Sequence, residues 1–335
     1  MNGGTPMLGW TIPDTHGLDG LQLVTLPEPI AGVGEVVLHL HLAALNPADR
    51  YLAEGLYPAK PRFPHVLGRD GVGTVVAVEE SVTGWKPGDR AIVLRGDTGV
   101  NRPGTLAERV AVDAGALAPV PSGWSEAEAA GAPLVALTAH QAIHQWGPLA
   151  PSVILVSGAS GGVGVATVQL ASALDHTVVA LSRSAAKAER LLDLGATRVF
   201  DPQRESWPRE LKSFLSPRRV DLVVDTIGGA LFPALVDTLG FGGRVSAVGM
   251  LAGPVPAFNT ASLFFRRIRI GGVAVGTDSR AAQARAWGDV VRLLAQSGRR
   301  PVVDSTFPLE EVPEAFARLA EGPMGKVLVR MPAAG

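Results

Sequence analysis

The chain has no cysteine among its 335 residues. This absence excludes a disulfide framework, a thiolate zinc site, an iron–sulfur cluster and a cysteine nucleophile. A chain without thiols does not depend on an oxidising compartment, and we predict a cytoplasmic location. Tyrosine is also scarce, with two residues in the whole chain.

Charged residues are few and evenly balanced. The 30 Lys and Arg face 31 Asp and Glu, so the formal net charge is −1, and charged residues make up 18% of the chain. This balance argues against nucleic acid or an anionic membrane as the main partner. The hydrophobic content of 47% is typical of a folded protein, and the length predicts two domains because it exceeds what one core usually supports.

Hydrophobic runs that could span a membrane are missing too. The uncharged stretches 153–174 and 245–265 are long enough to test, but the first is rich in Ser and Gly and the second is broken by Pro254 and Pro256. We interpret both as buried segments of an α/β domain, and we predict no contact with a membrane.

The spacing of apolar runs changes along the chain. Residues 1–120 contain short strand-like runs separated by Pro and Gly turns, which predicts a β-rich unit. A helix then opens at Ser125-Glu126-Ala127-Glu128, which supplies an N-cap, and runs through 129–145, with a bend expected at Pro133. From Pro151 onward strand-like and helical stretches alternate, the pattern of a doubly wound parallel sheet. The six predicted strands of this sheet are 153–156, 177–181, 198–200, 221–224, 244–248 and 268–273. A last strand at 326–330 is additional to the sheet, so we expect the tail to return to the first domain.

A glycine-rich loop joins the first strand of this sheet to the next helix. The loop reads Gly158-Ala159-Ser160-Gly161-Gly162-Val163-Gly164. Glycines without Cβ atoms let backbone N–H groups at a helix N-terminus approach a pyrophosphate. We therefore predict a dinucleotide site whose loop contacts are Gly158, Ser160, Gly161, Gly162 and Val163. The alternative is a glycine-rich turn in an α/β domain that binds no nucleotide.

The residues after the second strand indicate which dinucleotide is bound. An NAD enzyme needs an acidic residue there for the ribose hydroxyls, whereas this chain has Ser182, Arg183 and Ser184, with Lys187 close behind. A hydroxyl and cations would bind a 2′-phosphate that a carboxylate would repel. The prediction is NADPH; the alternative is that Arg183 and Lys187 belong to a solvated helix start.

With these features in place, the sequence resembles the medium-chain dehydrogenase/reductase superfamily, and within it the zinc-free quinone oxidoreductase-like branch. Besides the glycine loop, the motifs that carry the resemblance are Ala44-Leu45-Asn46-Pro47-Ala48-Asp49, Gly55-Leu56-Tyr57-Pro58, Leu67-Gly68-Arg69-Asp70-Gly71-Val72-Gly73, Lys86-Pro87-Gly88-Asp89-Arg90, Gly243-Arg244-Val245 and Gly325-Lys326-Val327-Leu328-Val329. The resemblance implies a Rossmann doubly wound six-stranded parallel sheet plus a GroES-like β-rich catalytic domain. The expected boundaries are 1–122 and 299–335 for the GroES-like domain and 123–298 for the Rossmann NADP-binding domain.

The resemblance also bears on metal binding. Alcohol dehydrogenases of the superfamily carry catalytic zinc on a Cys and on a Gly-His-Glu triplet, but here Asn46 stands at the Cys position and Arg69-Asp70 replace His-Glu. Neither the thiolate nor the imidazole ligand is available, so we predict no metal. His140 and His144 have a metal-binding spacing, but the sequence offers no third ligand beside them.

Without a metal, a carbonyl that accepts hydride must be polarised by hydrogen bonds. The resemblance implies that Asn46, Tyr51 and Tyr57 line the substrate pocket, with Asn46 donating an amide N–H and a tyrosine hydroxyl donating a hydrogen bond or a proton. The alternative is that both tyrosines are amphipathic residues at the rim of the domain.

Further cofactor contacts are implied by the same resemblance. These residues are Thr138, Thr226, Val248, Gly249, Val275, Gly276 and, on the pyrophosphate, Lys326.

The function expected from all these features is NADPH-dependent transfer of hydride to a quinone or related α,β-unsaturated carbonyl without metal. An alkenal, enone or enoyl-thioester reductase is the alternative enzyme. A nucleotide-sensing or RNA-binding protein on a reductase fold is the non-enzyme alternative. By analogy with relatives that pair the edges of their sheets, we expect a homodimer through 268–273.

Overall fold

The computed structural model describes residues 6–253 and 259–333. Within them the strands are β1 Met7–Ile12, β2 Gln22–Leu26, β3 Glu35–Ala44, β4 His65–Val66, β5 Asp70–Val78, β6 Arg90–Val93, β7 Arg109–Asp113, β8 Leu117–Pro119, β9 Val153–Val156, β10 Thr177–Leu181, β11 Arg198–Phe200, β12 Val220–Asp225, β13 Leu239–Ala247, β14 Arg269–Gly272, β15 Val303–Pro308 and β16 Lys326–Arg330. The α-helices are α1 Pro47–Ala53, α2 Glu126–Gly131, α3 Pro133–His144, α4 Gly162–Ala173, α5 Ala185–Asp193, α6 Trp207–Leu215, α7 Phe232–Thr238, α8 Ala261–Arg266, α9 Arg280–Gln296 and α10 Val312–Ala320. The chain divides into two compact units, which we call unit 1 and unit 2.

Unit 1 is the β-rich unit. It extends to Leu134 and adds Asp278–Ala284 and the tail from Pro301 onward. A three-stranded antiparallel sheet has the order β2-β1-β4, and a larger sheet has the order β15-β16-β3-β5-β6-β8, with β7 also paired to β3. Leu38 and Leu40 on β3 are fully buried while His39 between them is partly exposed, the alternation of a strand with one face on the core.

Strand pairing brings three distant segments of unit 1 together. In the register of the larger sheet, Ala44 at the end of β3 lies opposite Asp70 on β5 and opposite Leu328 on β16. Asn46 lies just beyond β3, while Asp70 and Lys326 are the first residues of β5 and β16. Sheet register therefore gathers residues separated by up to 280 positions.

The helix predicted to open at Ser125 and to bend at Pro133 begins as expected, but it is two helices. Ser125 caps the first, α2, by accepting from the Glu128 N–H, and the Glu128 side chain bonds back to the Ser125 N–H at 2.7 Å. Because Pro133 has no N–H to continue the ladder, the chain leaves α2 and starts α3 there. Helix α2 packs on β3, β5 and β16, so unit 1 runs twelve residues past the boundary expected at residue 122.

Unit 2 contains the predicted six-stranded parallel sheet. Its order is β11-β10-β9-β12-β13-β14, in which the chain runs outward from β9 to β11 and then returns to β12 on the other side of β9. Crossover helices connect the strands, and β9 is buried at all four positions, as a strand covered on both faces should be. This is the doubly wound Rossmann arrangement expected from the sequence.

Across the described residues we find no helix that is both long and apolar enough to cross a membrane. Part of the second uncharged stretch, residues 254–258, lies outside the described residues.

Candidate active site

The glycine loop lies between β9 and α4, at the carboxyl end of the sheet in unit 2. Helix α4 begins at Gly162, and its N-cap residue, Gly161, supplies no side-chain cap. The first N–H groups of a helix have no partner within the helix, so these donors are open to a ligand. A Cβ on Gly164 would lie 2.3 Å from the Gly158 carbonyl oxygen, which shows how closely the helix approaches the strand.

A second turn, after β12, faces this loop. The Asp225 carboxylate accepts from Ser157 Oγ at 2.5 Å and from the Gly228 N–H at 3.1 Å. Thr226 Oγ1 donates to the Ser157 carbonyl oxygen at 3.1 Å, and a Cβ on Gly158, whose φ is +57°, would lie 2.3 Å from Thr226 Oγ1. These contacts join the two turns on either side of the switch point, the place between β9 and β12 where the strand order reverses, and they leave no room for a larger residue at Gly158.

The residues after β10 offer hydroxyls and cations and no carboxylate. Ser182 is buried, and its Oγ hydrogen-bonds within the turn to the Ser184 carbonyl oxygen at 3.3 Å. Ser184 is the N-cap of α5 and accepts from the Lys187 N–H. Arg183 is exposed, and no carboxylate pairs with it in the part of the chain that the structure describes. An anionic group is the ligand that this turn suits.

Most of the other cofactor residues predicted in unit 2 follow the carboxyl ends of strands of the parallel sheet. Val248 and Gly249 follow β13, and the Val248 N–H donates to the Asp225 carbonyl oxygen at 2.8 Å. Val275 and Gly276 form a 3-10 turn after β14, and Thr138 is a buried residue of α3. Carboxyl ends of parallel strands at a switch point are where such folds bind their ligands.

Unit 1 holds a buried charge cluster. Each member is at most 4% exposed, and the members are Asn46, Asp49, Arg69, Asp70 and Lys326. Two carboxylates and two cations balance each other around one amide. Burying so many charged groups costs free energy unless each is paired and hydrogen-bonded, and here each is.

Every side-chain hydrogen-bonding group of Asn46 is used inside this cluster. Lys326 Nζ donates to Asn46 Oδ1 at 2.6 Å, while Asn46 Nδ2 donates to Asp70 Oδ2 at 2.9 Å and to the Ala44 carbonyl oxygen at 3.2 Å. An amide nitrogen carries two hydrogens. The N–H expected to reach substrate is therefore engaged within the protein, and a direct contact between Asn46 and substrate stays a prediction.

Lys326 also contacts Asp70, with Nζ 3.2 Å from Oδ2. Its ammonium is thus held by two buried oxygen atoms of unit 1. The pyrophosphate contact predicted for Lys326 stays a prediction, and the observed partners of its ammonium are Asn46 and Asp70.

The other half of the cluster is an ion pair at the start of α1. Arg69 Nε donates to Asp49 Oδ1 at 2.9 Å, and Asp49 Oδ2 accepts from the Asn46 N–H at 2.9 Å. Burial raises the pKa of Asp49 above its usual value, although Arg69 acts in the opposite direction. The guanidinium of Arg69 also lies over the ring of Tyr57, with 4.2 Å between Cζ and the ring centroid.

The two tyrosines occupy different surroundings. Tyr57 Oη accepts from Arg95 Nη2 at 3.2 Å. Burial alone would raise the pKa of Tyr57, but the guanidiniums of Arg69 and Arg95 outweigh it, so that this pKa lies below the usual value. Burial raises the pKa of Tyr51, with Arg50 acting in the opposite direction. The structure thus distinguishes two residues that the sequence pattern treats alike.

The histidines of α3 form a stacked pair. The ring centroids of His140 and His144 lie 4.1 Å apart, and His140 Nε2 lies 3.7 Å from Asp289 Oδ2. Burial lowers the pKa of His140 to about 4, in spite of Asp289. The described residues contain no group of three or more His, Cys, Asp or Glu arranged to hold a metal ion.

Two family descriptions match the two parts of the chain. Residues 32–122 match the alcohol dehydrogenase GroES-like domain, and residues 162–296 match the family described as zinc-binding dehydrogenase. The human synaptic vesicle membrane protein VAT-1 homolog is 32% identical over 93% of this chain and 84% of its own length. The chain therefore belongs to the medium-chain dehydrogenase/reductase superfamily.

The chain is also similar to proteins that are named as several different reductases and dehydrogenases. An acryloyl-coenzyme A reductase of Sulfurisphaera tokodaii is 26% identical over 93% of this chain and 96% of its own length. The pig quinone oxidoreductase is 27% identical over 90% of each chain. A crystal structure of an NAD-dependent alcohol dehydrogenase has a TM-score of 0.89, 30% identity and coverage of 97% and 100%. A mycobacterial protein complexed with NADPH has a TM-score of 0.87, 26% identity and coverage of 97% and 99%.

One family description names zinc, but the residues at the expected ligand positions do not fit a zinc ion. The Asn46 oxygen that would face a metal accepts from the Lys326 ammonium, and Asp70 is paired with the same ammonium. Arg69, at the histidine position, is itself a cation. Zinc ligands are thiolates, imidazoles and carboxylates, and two buried cations at this place oppose a third.

The switch point of unit 2, by contrast, fits a dinucleotide. The glycines let the start of α4 approach β9 closely, the first N–H groups of α4 have no partner within the helix, and Arg183 after β10 is an exposed cation. A bound nicotinamide cofactor would supply hydride chemistry there.

Sequence reasoning missed the residues that complete the surroundings of Asn46 and Tyr57. Asp49 lies three residues after Asn46 in a helix-capping pattern that gives a detectable signal. Arg95 gives none, because a lone arginine after a strand is usually a solvated surface residue, whereas here it is 7% exposed.

Proposed function

We propose that this protein is an NADPH-dependent oxidoreductase that reduces a quinone or a related α,β-unsaturated carbonyl compound without a metal ion. The observation that carries the proposal is the Lys326 ammonium, 2.6 Å from Asn46 Oδ1 at the position where zinc-dependent relatives bind their metal. The relatives named quinone oxidoreductase and acryloyl-coenzyme A reductase support this class of reaction.

Apart from Lys326, whose pyrophosphate contact stays a prediction, the residues proposed for the reduced cofactor lie in unit 2. The loop residues Gly158, Ser160, Gly161, Gly162 and Val163 would surround the pyrophosphate, and the first N–H groups of α4, from Gly162 onward, would donate to it. Ser182, Arg183 and Lys187 would hold the 2′-phosphate through a hydroxyl and two cations. The remaining proposed contacts are Thr138, Thr226, Val248, Gly249, Val275 and Gly276.

NADPH is preferred over NADH because of the charges after β10. One solved relative is named NAD-dependent and another was solved with NADPH, so the superfamily uses both cofactors. The absence of Asp and Glu from residues 182–188 favours the phosphorylated form in this chain.

Hydride transfer leaves negative charge on an oxygen atom of the acceptor, and that charge needs hydrogen-bond donors. Tyr57 and Tyr51 provide phenolic hydroxyls for this purpose. The buried charge cluster would hold Arg69 against the ring of Tyr57, which is a positioning role that requires no metal.

An enoyl-thioester reductase is the second candidate, favoured by the acryloyl-coenzyme A reductases among the relatives. Such a substrate carries phosphates that need a basic rim. Arg69 is 2% exposed and paired with Asp49, so it does not belong to such a rim. Lys60 and Arg62 are exposed, so these two residues are the candidates for such a rim.

The test is a panel of acceptors measured with both NADPH and NADH. We expect kcat/KM to be higher for 1,4-quinones than for 2-alkenals or 2-enoyl thioesters, and higher with NADPH than with NADH. Activity should survive dialysis against a chelator. Preference for 2-enoyl thioesters would select the second candidate, and loss of activity with removal of a stoichiometric metal would overturn the metal-free proposal. Salt-dependent RNA binding without reduction of any acceptor would favour a non-enzymatic role.

A homodimer is a separate proposal. Strand β14 is an edge of the six-stranded sheet, and Ile270 on it is 40% exposed, which suits pairing with a second copy. Light scattering tests it: a dimer that Ile270→Lys converts into monomers supports pairing through β14, and a wild-type monomer contradicts it. A cytoplasmic location likewise stays a prediction.

A further inference from the structure

Arg95 is a buried cation without an acidic partner. It is 7% exposed, and in the described residues no carboxylate forms a salt bridge with it. The other buried cations of unit 1, Arg69 and Lys326, each have one. Burying a guanidinium without a counter-charge costs free energy. We therefore examined what this side chain contacts.

The observed partner of this guanidinium is the Tyr57 hydroxyl, 3.2 Å from Arg95 Nη2. Arginine has five N–H donors and no acceptor. The phenol oxygen must therefore accept this hydrogen bond, and the hydroxyl hydrogen of Tyr57 is left to point toward another group. The contact thus presents Tyr57 as a donor.

We propose that Arg95 is a positioning residue that makes Tyr57, and not Tyr51, the proton donor of the reduction. The inference rests on the proposed function. After hydride from the reduced nicotinamide has added to the acceptor, the Tyr57 O–H bond breaks and its proton goes to the anionic acceptor oxygen. The phenolate that remains is stabilised by Arg95 and Arg69 until it takes a proton from water.

The two guanidiniums that face Tyr57 come from different places. Arg69 precedes β5 and is already balanced by Asp49, whereas Arg95 follows β6 and is unbalanced. The charged groups acting on the phenol are these two cations and no carboxylate. Tyr51 has no such partner: no hydrogen bond to its hydroxyl occurs among the described residues, and its charged neighbours Arg50 and Glu54 are paired with each other.

The scarcity of tyrosine permits a direct test that needs neither cofactor nor acceptor. In a Tyr51→Phe variant, Tyr57 is the sole tyrosine, so the ultraviolet absorbance of tyrosinate reports its ionisation alone. We expect it to ionise below the ordinary phenol value of about 10, and Arg95→Met in the same background to raise its pKa by about one unit. Arg95→Lys, which keeps the charge, should restore part of the difference.

Loss of Arg95 should leave the fold intact, because no carboxylate loses its partner. Circular dichroism across the titration checks this, and Lys86→Met, at an exposed lysine, is the matched control. A Tyr57 that ionises at about 10 or above, or at the same pH with and without Arg95, overturns the inference.

A kinetic experiment uses the acceptor that has the highest kcat/KM in the panel of quinones, alkenals and enoyl thioesters. Tyr57→Phe should lower kcat by about 10²-fold or more, and Tyr51→Phe by far less. Because the donor must be protonated, kcat should fall as pH rises through the Tyr57 pKa, and Arg95→Met should move that fall to higher pH. Equal losses of kcat in the two tyrosine variants contradict the assignment.

The two arms separate the two proposals. If no acceptor is reduced but the phenol pKa responds to Arg95, the proposed function is wrong and the contact between Arg95 and Tyr57 is real. If quinones are reduced but the phenol ignores Arg95, the inference fails alone.

Discussion

Unit 2 prepares its candidate site with backbone, whereas unit 1 uses side chains. In unit 2 the features that suit a ligand are glycines and helix N–H groups contained in residues 158–164. In unit 1 they are charged and polar groups contributed by α1, β5, β16 and the residues around them. The first kind of site depends on steric room, and the second depends on the balance of charge.

This difference predicts two kinds of failure. A backbone site is damaged by adding atoms, because the close approach of chain segments leaves no space. A charge cluster is damaged by removing one member, because the others then lie buried without partners. The substitutions below test these opposite sensitivities.

The largest effect is expected in the charge cluster. Asp49→Asn keeps the shape of the side chain but leaves the Arg69 guanidinium, 2% exposed, without a counter-charge. We expect the free energy of unfolding to fall by about 3–5 kcal/mol, measured by urea denaturation. The neighbouring pair Arg50–Glu54 is more exposed, and Glu54→Gln should cost less than about 1 kcal/mol.

A double variant sharpens this test. Adding Arg69→Met to Asp49→Asn removes the stranded cation, so much of the lost stability should return. Equal costs for Asp49→Asn and Glu54→Gln would show that burial does not govern the energetics of the cluster.

The backbone site should respond to a single methyl group. A Cβ on Gly164 would lie 2.3 Å from the Gly158 carbonyl oxygen and 2.6 Å from Ala159 Cα. Because both contacts are backbone, Gly164→Ala should lower the free energy of unfolding by about 1–3 kcal/mol and weaken NADPH binding, measured by fluorescence titration.

Gly288 provides the matched control. It lies within α9, and an added Cβ would meet nothing within 4 Å. Gly288→Ala should therefore stabilise the protein by about 1 kcal/mol through helix propensity. The same substitution is expected to have opposite signs at the two glycines, and the same sign at both would refute the steric argument.

The glycine loop and the charge cluster also differ in how far the sequence predicts them. Residues 158–164 are contiguous and follow a strand, so their spacing alone indicates a phosphate-binding turn, and the parallel sheet around them matches the predicted strands closely. The contact of Lys326 with Asn46 spans 280 residues and depends on the register of β16 against β3, which no local pattern encodes.

Arg95 shows most clearly which contacts cannot be predicted from the sequence. Its contact with Tyr57 joins two loops 38 residues apart, and neither loop has a periodicity that fixes where its side chains lie. Short strands such as β4, with two residues, escape prediction for a related reason: pairing with β1, and not local propensity, makes them strands.

A smaller effect concerns the discrimination between cofactors. Arg183→Ala removes an exposed cation from the turn after β10. We expect the ratio of kcat/KM for NADPH to that for NADH to fall about tenfold, the equivalent of one charge-assisted hydrogen bond. Arg190→Ala, near the other end of α5, should leave the ratio unchanged. A ratio insensitive to Arg183 would contradict the 2′-phosphate assignment.

A separate effect, which depends on pH, concerns acid. The pKa of His140 is about 4 in the folded protein and about 6.5 when unfolded, so between these values the unfolded chain binds more protons. Stability should therefore fall as pH is lowered from about 6.5 to 4. His140→Gln should flatten this dependence in part. An unaltered slope of unfolding free energy against pH in His140→Gln would contradict the buried neutral state of this ring.

The ammonium held between Asn46 and Asp70 has a consequence for any attempt to build a metal site at this place. A cysteine at position 46 would take away one oxygen partner of Lys326. Replacing Lys326 alone would leave the Asp70 carboxylate without its cation. Either single substitution leaves a buried charged group with one partner fewer, so a zinc site here would need several substitutions made together.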